Sequence, residues 1–99
     1  MLAVPVPALG EYLFGIYQSR FRTRYQRWLD ANLPLLDLLA PGRETAERYA
    51  EIRRELKVSG RPLPTNDLWI AALAREHRRP VVSRDQHFLA VDGLRLLTW

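Results

Sequence analysis

The chain has 99 residues, enough for one domain with one modest hydrophobic core. It contains no cysteine, which excludes disulfides, zinc–thiolate sites and thiol catalysis. No stretch is long and apolar enough to cross a membrane, and the start lacks the basic and apolar segments of a signal peptide. We therefore expect a single domain over residues 1–99 that works in the reducing cytoplasm, away from membranes.

The net charge is +4, and Lys57 is the only lysine, so the positive charge is almost entirely arginine. Arginine suits bidentate contacts with phosphate groups, but it also accumulates through genomic base composition. Four arginines crowd one predicted helix and form the best candidate for a phosphate-contacting face: Arg20, Arg22, Arg24 and Arg27. The alternative is an ordinary exposed helix surface, and the sequence leaves both interpretations open.

The first half of the chain predicts two strands separated by two helices. Residues 2–6 form a short apolar run rich in valine, which indicates a strand. Pro7 suits the first turn of the helix that follows, and apolar residues then recur with helical spacing. Residues 19–32 carry a second helical pattern, and residues 33–39 are an apolar run that predicts the second strand.

The second half predicts three more helices and two more strands. The longest helix spans residues 43–59, and Gly60 suits the position just after its end. Thr65 or Asn66 is expected to cap the next helix, which runs to about residue 78. The remaining segments are a short strand at residues 80–83, a short helix at 85–91 and a final strand at 94–99.

Strands that alternate with helices predict an α/β fold, a three-layer domain whose mainly parallel sheet is covered on both faces. Ligands bind such folds in the crevice at the carboxyl ends of the strands. Asp67 opens a predicted helix and Asp85 follows a predicted strand, so both carboxylates are expected at this edge. Two carboxylates there suggest a Mg²⁺ or Mn²⁺ site, because these cations prefer hard oxygen ligands. Glu11, near the start of the chain, is a third candidate ligand.

Each of these acids also has an interpretation that needs no metal. Asp67 can be a helix N-terminal acid favoured by the macrodipole. Asp85 can be a first-turn acid behind a capping box formed by Ser83 and Gln86. Glu11 can be a solvated residue beside a buried stripe. Sequence spacing does not show that the three acids converge.

Four ordered segments of the chain resemble one known family. They are residues 4–13 (VPVPALGEYL), 65–72 (TNDLWIAA), 82–88 (VSRDQHF) and 91–94 (VDGL). Together they resemble PIN-domain ribonucleases, most of all the toxin component of VapBC-type toxin–antitoxin pairs. The resemblance covers essentially the whole chain and implies a PIN-like fold.

The resemblance implies a catalytic metal site, because Glu11, Asp67 and Asp85 match three of the family's four acidic positions. Asn66 and Ser83 match polar positions that flank this site. The implied cofactor is Mg²⁺ or Mn²⁺, the implied substrate is RNA, and the implied protein partner is a cognate antitoxin.

The chain also departs from the family's pattern. The family opens with a strand that carries its first acid, and this sequence begins at what resembles the second strand. The absent unit of about 30 residues or more would leave a gap in the sheet and remove one metal ligand. Three explanations stay open: a misassigned start, a truncated relative that re-pairs or exchanges strands, and a fragment that joins a separately encoded piece. Because an unpaired strand edge favours pairing with another chain, we expect a homo-oligomer.

Three functions therefore compete. The leading one is a metal-dependent endoribonuclease of the toxin–antitoxin type, impaired to some degree by the missing first acid. The second is a catalytically inactive PIN remnant that serves as a dimerisation or antitoxin-binding module. The third is a basic nucleic-acid-binding protein that uses the arginines of residues 20–27, and Arg84 is a further candidate contact to RNA.

Overall fold

The computed structural model of this protein describes residues 2–83 and 85–97; for Leu2 it describes the backbone alone. The chain divides into two compact units, Met1–Ala40 and Pro41–Trp99. Each unit contains one pair of parallel strands joined by helical segments, so the α/β character predicted from the alternating elements is confirmed. In the described part of the chain, no helix has the length and apolar character needed to span a membrane.

The first unit is a β-α-α-β segment. Its elements are β1 (Leu2–Pro5), α1 (Val6–Gln18), α2 (Arg22–Asn32), a 3-10 helix (Leu33–Leu35) and β2 (Leu36–Leu39). The strands are parallel, with Leu2 opposite Leu36 and Pro5 opposite Leu39. The helices supply the long crossover that a parallel pair requires, since a short hairpin can join only antiparallel strands.

Three predicted boundaries in this unit are wrong. The first strand ends at Pro5 rather than at residue 6, because Val6 begins α1. The second helix begins at Arg22 rather than at residue 19, because Ser19 lies in a turn where its Oγ accepts the Phe21 backbone N–H at 3.0 Å. The predicted second strand loses its first three residues to the 3-10 helix. Pro34 lies in this segment and has no N–H to donate to a strand ladder.

The second unit places two long helices before its parallel strands. Its elements are α3 (Arg43–Ser59), α4 (Thr65–His77), β3 (Val81–Val82), a 3-10 helix (Gln86–Ala90) and β4 (Leu96–Leu97). The predicted bounds of α3 are confirmed, and the predicted strands survive as two-residue pairs in which Val81 lies opposite Leu96. Residues 98 and 99 of the predicted final strand lie outside the described residues.

The core of the second unit lies where α3 packs against α4. Its central members are fully or almost fully buried: Ile52, Leu56, Leu68, Ala71 and Ala72. Each buried Ile or Leu side chain contributes roughly 1.5–3 kcal/mol relative to the exposed state. The two alanines, both 0% exposed, allow the helices to approach closely. Tyr49 of α3 also stacks on Trp69 of α4 with 4.3 Å between ring centroids, which adds a second, aromatic contact across the pair.

Both long helices of this unit end in the same backbone motif. After α3, Gly60 has φ +69° and the Arg61 N–H donates to the Leu56 carbonyl at 3.0 Å. After α4, Arg78 has φ +53° and the Arg79 N–H donates to the Ala74 carbonyl at 2.9 Å. Glycine takes the left-handed conformation without strain, whereas a residue with a Cβ does not. The helix α3 is therefore followed by glycine, the residue favoured at this position, whereas α4 is followed by an arginine in a strained conformation.

A buried polar contact fixes the start of α3 to the end of α4. Thr45 is 0% exposed, its Oγ1 accepts the Gly42 N–H at 2.9 Å, and its hydroxyl donates to Glu76 Oε1. Gly42 is the residue before the helix, so Thr45 satisfies one of the N–H groups that a helix start leaves without a partner.

Thr45→Val keeps the shape of the side chain but removes both hydrogen bonds. We expect a loss of about 1–3 kcal/mol in the free energy of unfolding, because a buried donor and acceptor lose their partner. Urea unfolding followed by tryptophan fluorescence measures this. Thr23→Val on α2 is the control, since Thr23 is exposed and its loss should change stability by under about 0.5 kcal/mol. Equal midpoints for Thr45→Val and the natural chain would contradict the assignment.

Candidate functional site

Asp67 lies half-buried in the first turn of α4. The predicted cap is wrong, because Pro64 rather than Thr65 or Asn66 precedes the helix. Pro64 is extended, with φ −55° and ψ 149°, and its carbonyl accepts the first helical bond from the Leu68 N–H at 3.0 Å. The adjacent residues Asn66 and Asp67 therefore lie inside the first turn of the helix, at the positive end of its macrodipole.

Asp85 is the cap of the second 3-10 helix. Its Oδ1 accepts the His87 backbone N–H at 2.9 Å and lies 3.0 Å from His87 Nδ1. Ser83 supports this turn, because its Oγ accepts the Asp85 N–H at 3.0 Å. The predicted capping box of Ser83 and Gln86 is thus wrong, since the shorter aspartate side chain reaches the helix start directly.

The chain path of the second unit is compatible with Asp67 and Asp85 at the same end of α4. The strand β3 packs against α4, and the chain reverses direction at Arg78–Pro80. From Asp67 to Arg78 the helix rises about 16 Å at about 1.5 Å per residue. The return from Arg79 to Asp85 can cover about 20 Å at about 3.3 Å per extended residue. The return path is therefore long enough to bring Asp85 level with the start of α4.

Ser83 sits where β3 ends. Its N–H donates to the Leu97 carbonyl at 3.0 Å, which is the last described bond between the two strands, and the chain then leaves the ladder towards Asp85. The chain length between them permits Asp67 and Asp85 to lie at the edge at which open α/β folds bind ligands, and their convergence there stays a prediction.

Glu11 belongs to the first unit. It lies in the second turn of α1, and its side chain is exposed. Within residues 2–83 and 85–97, no group of three or more Asp, Glu, His or Cys side chains is arranged to hold a metal ion. Metal binding by Glu11, Asp67 and Asp85 together therefore stays a prediction. Asp85 suits such a role, because its side chain is 42% exposed and only its Oδ1 atom is occupied by His87.

The predicted arginine face is exposed and stacks on aromatic rings. The Arg20 guanidinium lies 4.9 Å from the centroid of Phe21, and that of Arg22 lies 4.1 Å from the centroid of Tyr17. Arg24 and Arg27 are exposed on α2. Arg84, the fifth candidate RNA contact, lies outside the described residues.

Sequence reasoning missed an exposed aromatic surface on the first unit, formed by Tyr12 of α1 and Trp28 of α2. Their ring centroids lie 6.4 Å apart, and the two side chains are 43% and 56% exposed. Exposed apolar patches of this kind mark interaction sites on soluble proteins.

Comparison with known proteins identifies the family. The sequence profile of the PIN domain matches residues 1–94, and the chain belongs to the PIN domain family. The predicted PIN-like fold is confirmed. Ribonuclease VapC5 of Mycobacterium tuberculosis is 44% identical over 50 residues, which are 50% of this chain but only 37% of that protein.

Solved structures of similar fold are toxin–antitoxin complexes. VapBC2 from Rickettsia felis, bound to a DNA fragment from its promoter, matches with a TM-score of 0.87 and 28% identity over 98% of this chain and 74% of that chain. VapBC-5 from Mycobacterium tuberculosis matches with a TM-score of 0.84 and 29% identity, over 98% of this chain and 81% of that chain.

Asp85→Asn separates the capping role of this residue from metal binding. Asparagine caps a helix as well as aspartate does, so the free energy of unfolding should change by under about 0.5 kcal/mol. The affinity for Mn²⁺ should fall, because a charged oxygen ligand is lost. Isothermal titration with Mn²⁺ measures the affinity, and Asp92→Asn, an exposed acid before β4, is the control. Unchanged Mn²⁺ affinity in Asp85→Asn would remove Asp85 from the site.

Proposed function

We propose that this protein is a metal-dependent endoribonuclease of the toxin–antitoxin type. The proposal is carried by the positions of two acids in a chain of the PIN domain family: Asp67 lies in the first turn of α4, and Asp85 follows β3. A parallel α/β fold places such positions at the ligand-binding edge of its sheet. The ribonuclease activity named for the relative from Mycobacterium tuberculosis supports the same reaction here.

In this proposal Asp67 and Asp85 provide carboxylate oxygens to a divalent cation, Mg²⁺ or Mn²⁺, and Glu11 provides a third. Hard oxygen donors are the ligands these cations prefer. A bound cation supplies an activated water and stabilises the charge that develops on the phosphate. Without it, clustered carboxylates repel one another, so the ion itself stabilises their charged forms.

Two neutral side chains orient the groups around the acids. Asn66 precedes Asp67 in the first turn of α4 and can hold a water or a phosphate oxygen through its amide. Ser83 fixes the backbone of Asp85 through the 3.0 Å hydrogen bond from the Asp85 N–H to its Oγ, which presents the carboxylate at the end of β3. The role proposed for Ser83 is therefore to position Asp85.

Asp67→Asn tests the catalytic proposal. The natural chain should cleave a mixed RNA pool in Mn²⁺, and Asp67→Asn should lower the rate at least about 100-fold, because the loss of a ligand costs several kcal/mol of transition-state stabilisation. Gel electrophoresis of the products measures the rate. Asp92→Asn should cleave as the natural chain does. Retained cleavage in Asp67→Asn, or no cleavage by the natural chain, would contradict the proposal.

A second candidate function, a binding module without catalysis, is favoured by the aromatic surface. We propose that this surface mediates self-association, which makes the chain a homo-oligomer, and that a cognate antitoxin is a separate partner. The solved relatives in which toxin and antitoxin form one complex support an antitoxin partner. The two candidate functions are compatible if assembly and cleavage use different surfaces.

A double substitution, Tyr12→Ser with Trp28→Ser, tests the role of the aromatic surface. Both side chains are exposed, at 43% and 56%, so their loss should leave folding intact while weakening association. Sedimentation velocity should show an oligomer for the natural chain and a smaller species for the variant. Val58→Ser is the control, because Val58 is 83% exposed on α3. A natural chain that sediments as a monomer would contradict the proposed self-association.

A further inference from the structure

A cavity of about 220 Å³ lies in the second unit at the end where α4 finishes. Its lining is dominated by the guanidinium-bearing residues Arg75, Arg78, Arg79 and Arg95, and we call it the arginine pocket. Three of these residues belong to α4 or to the turn after it, and Arg95 comes from the segment that enters β4. Two separate segments of the chain therefore direct positive charge to one concave surface.

The positive charge of this pocket is only partly balanced. Arg75 makes a two-bond contact with Glu55 of α3, at 3.2 and 3.0 Å, and donates from Nη2 to the Asp92 carbonyl at 3.0 Å. Arg75 is thus held in place and neutralised. Within the described residues, the other three arginines form no ion pair, and all three are exposed. Three cations of the pocket therefore have no acidic partner among the described residues.

Helix electrostatics explain only part of this cluster. Cations near a helix C-terminus are favoured by the macrodipole, which accounts for basic residues in the last turn of α4. This does not account for Arg95, which another segment supplies. It also does not account for Arg78, which occupies at φ +53° the left-handed position that α3 gives to Gly60. Strained residues of this kind persist where function requires the side chain.

We propose that the arginine pocket binds a backbone phosphate of the RNA substrate. RNA would then extend along the unit from the carboxylates at the start of α4 to the pocket at its end. The proposal rests on the proposed ribonuclease function and adds a second anchoring point for the same substrate. The arginine pocket and the start of α4 are separated by roughly the length of that helix, about 20 Å at about 1.5 Å per residue.

The chemistry of the pocket favours a phosphate over an acidic peptide. The planar guanidinium fork matches phosphate oxygens in pairs. Peptides dock through apolar side chains that enter apolar pockets. The two apolar residues of this lining do not offer such a pocket. Ala74 is buried and Leu94 packs against the core.

The test measures binding of a labelled single-stranded oligouridylate to the full chain in EDTA, which prevents cleavage. Arg78→Gly removes a guanidinium and relieves the left-handed backbone at once, so its melting temperature should equal or exceed that of the natural chain. Its affinity should fall several-fold, and the slope of log K against log salt should decrease by about 0.7, the value for one phosphate contact on a single strand. Arg95→Gln should behave in the same way.

Arg54→Gln is the matched control, because Arg54 is an exposed arginine on α3 outside the pocket and its loss changes the net charge equally. Unchanged affinity and slope in Arg78→Gly and Arg95→Gln, or an equal fall in Arg54→Gln, would overturn the proposal. Displacement of the oligonucleotide by a glutamate peptide more readily than by pyrophosphate would overturn it in favour of an acidic protein partner. An absence of RNA cleavage in Mn²⁺ would contradict the ribonuclease function alone, because this binding needs no metal.

Discussion

The packing of α3 against α4 is the constraint on which the second unit depends. Ile52 and Leu56 of α3 meet Leu68 and the two small residues Ala71 and Ala72 of α4 in a fully buried contact. Because a packed interior does not deform continuously, this contact fixes the position of α4 along its whole length. The short strands β3 and β4, with only two paired residues each, depend on it because a two-stranded ladder is marginal alone.

The position of α4 determines the chemistry at both of its ends. Its first turn presents Asp67, and the chain that returns through β3 leads to Asp85 at the start of the second 3-10 helix. Its last turn leads through a strained Arg78 into the arginine pocket. Under the proposed function, a polyanionic substrate would meet carboxylates at one end, where a cation would mediate the contact, and guanidinium groups at the other. One rigid helix therefore sets the spacing between the site proposed for cleavage and the site proposed for anchoring.

The sequence predicted elements better than it predicted their ends. The helical pattern and Gly60 gave α3 its observed bounds, because propensity, periodicity and the glycine signal agree there. At α4 the predicted cap residue was wrong, because Pro64 is extended and precedes the helix, so that Thr65 is already its first residue. At Asp85 two capping patterns competed, and the backbone geometry selected the aspartate. The arginine pocket could not be predicted, because Arg78 and Arg95 meet only through the tertiary fold.

The central proposal is that Glu11, Asp67 and Asp85 bind one divalent cation, and paramagnetic broadening by Mn²⁺ tests it most directly. In amide NMR spectra of the full chain, substoichiometric Mn²⁺ should broaden signals near the ion first, since the effect falls steeply with distance. The account predicts early loss of the amide signals of Glu11, Asp67 and Asp85, while that of Glu76, at the other end of α4, persists longer. Broadening spread evenly over the chain, or confined to other residues, would contradict a shared metal site.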